Sequence, residues 1–167
     1  MEAIFTRRSI RKYTKEPVAE TAIKDLLAAA MSAPSAGNER PWHFVVIRNR
    51  ALLDEIPKFH AHAEMVRMAP VAILVCADLR QTKFDGWYWI QDCSAAVENI
   101  LLAAAGRDLG SVWLGVYPNK ERVDALQALL GLPERITPFA LVVVGHSAEH
   151  KPPEDRYEEA RVHYDRW

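Results

Sequence analysis

The order of its segments predicts that this 167-residue chain folds as an α+β or mixed α/β three-layer protein. Three observations carry that expectation. Apolar residues recur at helical spacing before the first strand-like run. β-branched runs then intermix with further helical segments. The longest helix candidate, residues 87–109, is apolar almost all round and so needs partners on several sides.

Residues 19–33 set Ile23, Leu26, Leu27, Ala30 and Met31 on one helical stripe. Pro34 ends it, because proline disfavours helical geometry at the residue before it. SAGNERP follows as a loop, and His43–Arg48 reads as a strand. Helical character returns at 51–58 and 61–68. Pro70 opens VAILVCAD, a continuous apolar run suited to a strand buried on both faces. Within 87–109, Ile90, Cys93, Val97, Ile100, Leu101 and Ala104 form one helical face. Ala95, Leu102, Ala103 and Ala105 make the other face apolar too, and in so small a chain a subunit interface would explain that. Val112–Val116 is a strand candidate, Lys120–Leu130 a helix stopped by Gly131 and Pro133, and Phe139–Val144 the last buried strand. From His150 the chain is highly charged, yet Tyr157, Ala160, Tyr164 and Trp167 recur at helical spacing, which suits a final docked helix.

No repeat, low-complexity tract or linker divides the chain, so residues 1–167 read as one domain. A chain of this length buries about 70% of its unfolded surface and needs neither disulfide nor metal to fold. Lys and Arg number 21 against 22 Asp and Glu, a balance that argues against a general nucleic-acid or anionic-membrane surface. Cys76 and Cys93 lie in apolar runs at no metal-ligand spacing, which points to a reduced, cytoplasmic setting. The N-terminal MEAIFTRRSIRKY has no apolar core of signal-peptide length, and nowhere do 18 apolar residues follow one another.

Three clusters could carry chemistry. RRSIRKY places Arg7, Arg8, Arg11 and Lys12 around Ser9, and guanidinium groups bind phosphate bidentately; alone, the cluster is a weak signal and reads more readily as a solvated basic turn or an N-terminal arm touching acidic residues. APSAGNERPW, residues 33–42, offers small residues that let a backbone approach a flat ligand, with Asn38 as donor and acceptor. It also suits an ordinary helix-to-strand connection. GSVWLGVYP, residues 110–118, lacks the spacing of a dinucleotide fingerprint, though a glycine after a strand can expose backbone N–H groups. His60 and His62 have no carboxylate pattern to fix a metal, no GxSxG marks a serine nucleophile, and Cys93 suits inert packing.

Taken in this order, RRSIRKY, APSAGNERPWHFVVI, DCSAAVENILLAAAGRDLGSVWLG and VVVGH resemble the nitroreductase family of flavoproteins, over about Arg7 to Lys151. The resemblance implies a sandwich with a central, mostly antiparallel sheet flanked by helices. It implies a homodimer with FMN bound across each interface. Arg7, Arg8, Ser9 and Arg11 would hold the FMN phosphate and flavin edge. Pro34, Ser35, Ala36 and Asn38 would come from the second subunit, while Leu114 and Gly115 would lie over the ring. Lys151 and Arg156 match basic positions that reach the phosphate. Two departures stand out: Arg40 replaces the Gln common before Pro-Trp, and the insertions that usually roof the substrate pocket are missing.

The activity so implied is reduction of FMN by NADH or NADPH, followed by reduction of a small electron-poor acceptor such as a nitroaromatic or quinone. The motifs hold no evident acid or base, as fits an enzyme whose cofactor carries the redox chemistry. Alternatives within the flavin class are oxidation or dehalogenation of a small metabolite, and fragmentation of the flavin. Outside it stand a non-catalytic flavin binder and a basic-arm nucleic-acid binder.

Overall fold

A computed structural model describes residues 2–167. Strands β1 (Trp42–Ile47), β2 (Val71–Asp78), β3 (Leu109–Gly115) and β4 (Ile136–His146) form one sheet in the order β1-β2-β4-β3. Every neighbouring pair is antiparallel. The helices are α1 (Glu2–Thr6), α2 (Glu20–Met31), α3 (Arg50–Glu55), α4 (Trp89–Ala105) and α5 (Lys120–Leu130).

The two central strands explain the layering. All eight residues of β2 are buried, and strand geometry sends alternate side chains to opposite faces. Val71, Ile73, Val75 and Ala77 join β4 residues Ala140, Val142 and Val144 in a core closed by α2 and α4. Ala72, Leu74 and Cys76 join Leu141 and Val143 in a second core, closed by Leu53 and Ile56 on one side and Leu126 of α5 on the other. Two cores on one sheet make the three layers expected from the sequence.

Element ends follow local chemistry. Asn49 and Asn119 cap α3 and α5 with their side-chain oxygens. Gly131 takes the left-handed conformation that closes α5, with the Leu132 N–H returning to the Gln127 carbonyl. β4 runs through Pro138 because a bulge opposite Val75 and Cys76 absorbs it. That bulge turns the Phe139 carbonyl toward the end of β3, where it accepts from Val116 and Tyr117.

Several expectations need correction. Met31 leaves the apolar stripe of α2 and is exposed. Residues 61–68 form only a 3-10 turn at Glu64–Arg67. The long helix is trimmed to 89–105, so Trp89 is buried while Trp87 is exposed. The tail forms no docked helix: it is extended apart from a 3-10 turn at Glu159–Arg161, and everything after Lys151 is exposed. A helix of that length is marginal in water without a surface to pack on, and local pairs such as Arg156 with Glu154 satisfy its charges instead.

Residues 7–18 run as an arm along the sheet. Its Ile10 N–H donates to the Ser111 carbonyl, its Thr14 N–H to the His146 carbonyl, and its Lys12 carbonyl accepts from Ala148. Buried Tyr13 donates to the Ile10 carbonyl at 2.5 Å, and burial pushes its phenol pKa up. Two glycines admit the arm. A Cβ on Gly110 would stand 2.8 Å from Ile10, and one on Gly145 would stand 2.7 Å from Pro70 and 2.9 Å from Tyr13. Gly145→Ala is therefore expected to cost about 1–3 kcal/mol of stability by overpacking. Gly115→Ala, whose Cβ would meet nothing within 4 Å, is expected to stay within about 0.5 kcal/mol of the parent. Urea unfolding of the two variants tests the contrast.

Candidate functional site

The site is built on the open edge of β3. In an antiparallel pair, successive residues turn their backbone groups alternately toward the partner and away from it. Val116 bonds inward to Phe139, while Ser111 bonds outward to the arm. The same alternation sends Trp113 and Gly115 outward, beyond the point where the arm covers the edge. Residues 113–115 of β3 line a cavity of about 500 Å³ together with Arg11, His60, His62, Glu64 and Arg122.

A second cavity, of about 310 Å³, lies at the other end of the strand. Arg7, Arg8, Lys151, residues 109–111 and Ser147 are among those lining it. The arm separates the two cavities, and the step from Ser111 to Gly115 is about 13 Å of strand.

The basic residues of this second cavity are only partly satisfied by protein. Arg8 donates from Nε to the Pro152 carbonyl at 2.8 Å and from Nη1 to the Arg7 and Phe5 carbonyls, joining the arm to the tail. Its Nη2 is buried without a hydrogen-bond partner. Arg7 Nε is likewise buried and unbonded; Glu98 Oε1 lies 3.4 Å away without hydrogen-bond geometry. Lys151 Nζ donates to the Ser9 carbonyl at 2.5 Å and lies 3.4 Å from Glu149. Glu149 accepts the Arg11 N–H at 2.6 Å, and that bond together with Lys151 holds its carboxyl below the ordinary range. Buried guanidinium N–H groups with no protein acceptor are what a phosphate would satisfy.

The residues singled out in the sequence thus fall into separate groups. Arg7, Arg8 and Lys151 meet at the smaller cavity, with Ser9 bonded to Lys151 but lining neither space. Arg11, Leu114 and Gly115 meet at the larger one. Pro34, Ser35, Ala36 and Asn38 line neither, and Arg156 binds only Glu154 within the tail. Sequence reasoning passed over His60 as a weak metal candidate and did not single out Arg122 or Glu149. Among the described residues, no group of three or more His, Cys, Asp or Glu is placed to hold a metal ion. No helix among them is long and apolar enough to cross a membrane.

Segment 34–38 is instead fixed against α4. Asp92 Oδ1 accepts the Ala36 N–H at 2.9 Å, and Ser35 Oγ accepts the Arg40 N–H at 3.0 Å. Glu39 accepts the Lys83 N–H, while Lys83 Nζ reaches the Gly37 carbonyl at 2.9 Å. Asp92 Oδ2 and Glu39 Oε1 are both buried and lack any donor. Burial first, then the Glu39 carboxyl, raises the Asp92 pKa, so the pair favours holding a proton. A carboxyl with a raised folded-state pKa stabilises most below its ordinary value near 4 and loses that contribution as pH rises through the folded value. Urea unfolding from pH 4 to 8 should therefore show the wild type losing stability relative to Asp92→Asn, which keeps an acceptor for Ala36 and can donate to Glu39. Parallel curves would refute the shared proton. Asp92→Ala should cost about 1–3 kcal/mol by stripping the Ala36 N–H of its partner.

The two thiols stand apart from all this. Cys76 on β2 and Cys93 on α4 are fully buried, and burial pushes the Cys76 pKa up to about 12 and that of Cys93 in the same direction.

Known proteins share both the pattern and the architecture. The model of the nitroreductase family matches residues 4–64 and 58–146. A protein of Methanothermobacter thermautotrophicus named "Putative NADH dehydrogenase/NAD(P)H nitroreductase" is 48% identical over 167 residues, spanning 100% of this chain and 87% of its own. An FMN-dependent nitroreductase of Clostridium difficile superposes with a TM-score of 0.92 at 26% identity, covering 100% of both chains. A Desulfovibrio desulfuricans protein solved in complex with FMN superposes at 0.84 with 33% identity, covering 99% of this chain and 96% of its own. Sequence, fold and the open edge of β3 agree, and the chain belongs to the nitroreductase family.

Proposed function

We propose that the protein is an FMN-dependent NAD(P)H oxidoreductase that binds FMN along the arm and the outer edge of β3. One observation carries this reading. Two buried arginine nitrogens without a hydrogen-bond partner, Arg7 Nε beside the Glu98 carboxylate and Arg8 Nη2, stand at one end of that edge, and the outward-facing residues Trp113 and Gly115 stand at the other. The polar groups therefore suit a ligand with a phosphate at one end and a hydrogen-bonding ring at the other. Relatives agree: a Bacillus subtilis protein named FMN reductase [NAD(P)H] is 27% identical across 98% of this chain.

Arg7, Arg8 and Lys151 hold the phosphate, each supplying charge-assisted N–H donors in a half-buried setting. Arg11 lines the larger cavity, where a cation favours negative charge on the ring's edge. Gly115 offers its N–H to the ring and leaves space above it, since no Cβ projects there. FMN, once bound, supplies hydride acceptance from NADH or NADPH and delivery to an electron-poor acceptor such as a nitroaromatic or quinone.

The working unit is a homodimer. Ile4, Phe5, Trp87 and Tyr88 are exposed, as are the tail's Tyr157, Tyr164 and Trp167. Ala95, Leu102 and Ala103 keep one face of α4 only half-buried within the chain. Pro34, Ser35, Ala36 and Asn38 then serve the partner's flavin, and Arg156 reaches a phosphate only once the tail docks on a second copy. The fixed geometry of the 34–38 segment suits such a covering surface.

Purified protein mixed with FMN is expected to give a bound-flavin spectrum that bleaches on anaerobic addition of NADH or NADPH. Absence of any flavin binding would overturn the assignment. Arg7→Ala with Arg11→Ala should weaken FMN binding at least about tenfold, since each removes charge-assisted bonds of about 1.5–3 kcal/mol. Sedimentation of the FMN-loaded protein should show a dimer, and a stable folded monomer would count against the shared site.

A further inference from the structure

We propose that His60 and Arg122 are positioning residues that brace the Gly115 peptide from two sides and so aim its N–H at the ring; this rests on the flavin reading above. His60 is buried in the turn between two 3-10 segments, with Nε2 3.0 Å from the Gly115 carbonyl oxygen. Arg122, in the first turn of α5, donates from Nη1 to the same oxygen at 2.9 Å. Two donors from two different elements therefore occupy both lone pairs of one carbonyl.

The partners also fix the protonation of His60. The Gly115 oxygen can only accept, so Nε2 carries the proton. The His62 backbone N–H lies 3.3 Å from Nδ1 and can only donate, so Nδ1 is bare. The ring is neutral, in one tautomer. Burial and the neighbouring Arg122 charge both oppose its protonation.

The brace matters because of where it acts. The N–H and C=O of one residue in a strand point toward the same edge but belong to adjacent peptide planes, so anchoring the Gly115 carbonyl restrains its N–H through the φ and ψ of that single residue. Gly115 is the last residue of β3, where the ladder gives way to the irregular bonds from Phe139. Here one sheet bond, from the Val116 N–H to the Phe139 carbonyl, and the two side-chain donors together set the orientation of the peptide that carries the Gly115 oxygen. Space over Gly115 is empty of protein, so the brace serves no packing of the glycine itself. It presents a donor to the cavity, and Arg122 adds a positive charge on the same wall. A fixed donor and a fixed charge stabilise a reduced, anionic ring more than an oxidised one.

The test compares Arg122→Ala, Arg122→Lys, His60→Leu and His60→Gln. FMN dissociation constants are measured by fluorescence, and the potential of bound FMN by spectroelectrochemistry. Arg122→Ala and His60→Leu are expected to lower the ratio of affinities for reduced over oxidised FMN about tenfold, a shift of about 30 mV for a two-electron couple. Arg122→Lys and His60→Gln, which keep a donor, should recover most of it. If His60→Leu does not fold, the half-buried Arg122 pair carries the comparison. Independently of flavin, nitrogen NMR of the wild type at pH 7 should find His60 neutral with the proton on Nε2; a cationic ring or the other tautomer would overturn the brace. Wild-type protein that takes up no FMN would sink the flavin reading and this inference with it. A wild type that binds FMN while Arg122→Ala keeps the affinity ratio would sink the inference alone.

Discussion

Unpaired backbone on a sheet edge must be satisfied by something, and in this molecule the edge of β3 dictates most of what surrounds it. An exposed edge is a row of donors and acceptors that invites pairing. The arm takes the first half, through Ile10 on Ser111, and the two glycines that let it lie close are placed opposite Ile10 and Tyr13. The second half stays open between Trp113 and Gly115 and becomes the floor of the larger cavity. Basic residues brought in by the arm and by Lys151 are therefore delivered to the same strand that offers backbone donors. Geometry, rather than any single motif, sets them in two cavities along one strand.

Much of the fold was legible because its signals are strong and local. VAILVCAD could hardly be other than a doubly covered strand, and both central strands carry the alternation that separates the two cores. Gly131 announced the end of α5 through the one conformation that glycine adopts without strain. The tail misled for the opposite reason. Its helical spacing of aromatics is real, but spacing stabilises a helix only where there is a surface to receive the stripe, and this chain offers none to it.

The site was legible as a set of motifs but not as a constellation. The basic cluster and the glycine-ended strand announced themselves through composition. His60 and Arg122 did not, since each matters only through a carbonyl 55 and 7 positions away. No local pattern encodes such a meeting. Asp92 was nearer to legible, as a carboxylate on the buried face of an apolar helix, a place where charge survives only with a partner. Its partners, Ala36 and Glu39, lie on a loop whose sequence signals nothing more than a turn.

The burial of both cysteines has a consequence for how the molecule can be watched. Thiolate is the reactive form, and here each sulfur is held protonated inside one of the two elements, β2 and α4, around which everything else packs. An alkylating reagent can reach Cys93 only when the sheet parts from α4, and Cys76 only when the second core on the sheet's other face opens. The rate of labelling in native buffer is then a clock for the deepest opening of the structure, blind to fraying of the tail or breathing of the loops. Nature has supplied the protein with a pair of internal reporters on its own cooperativity.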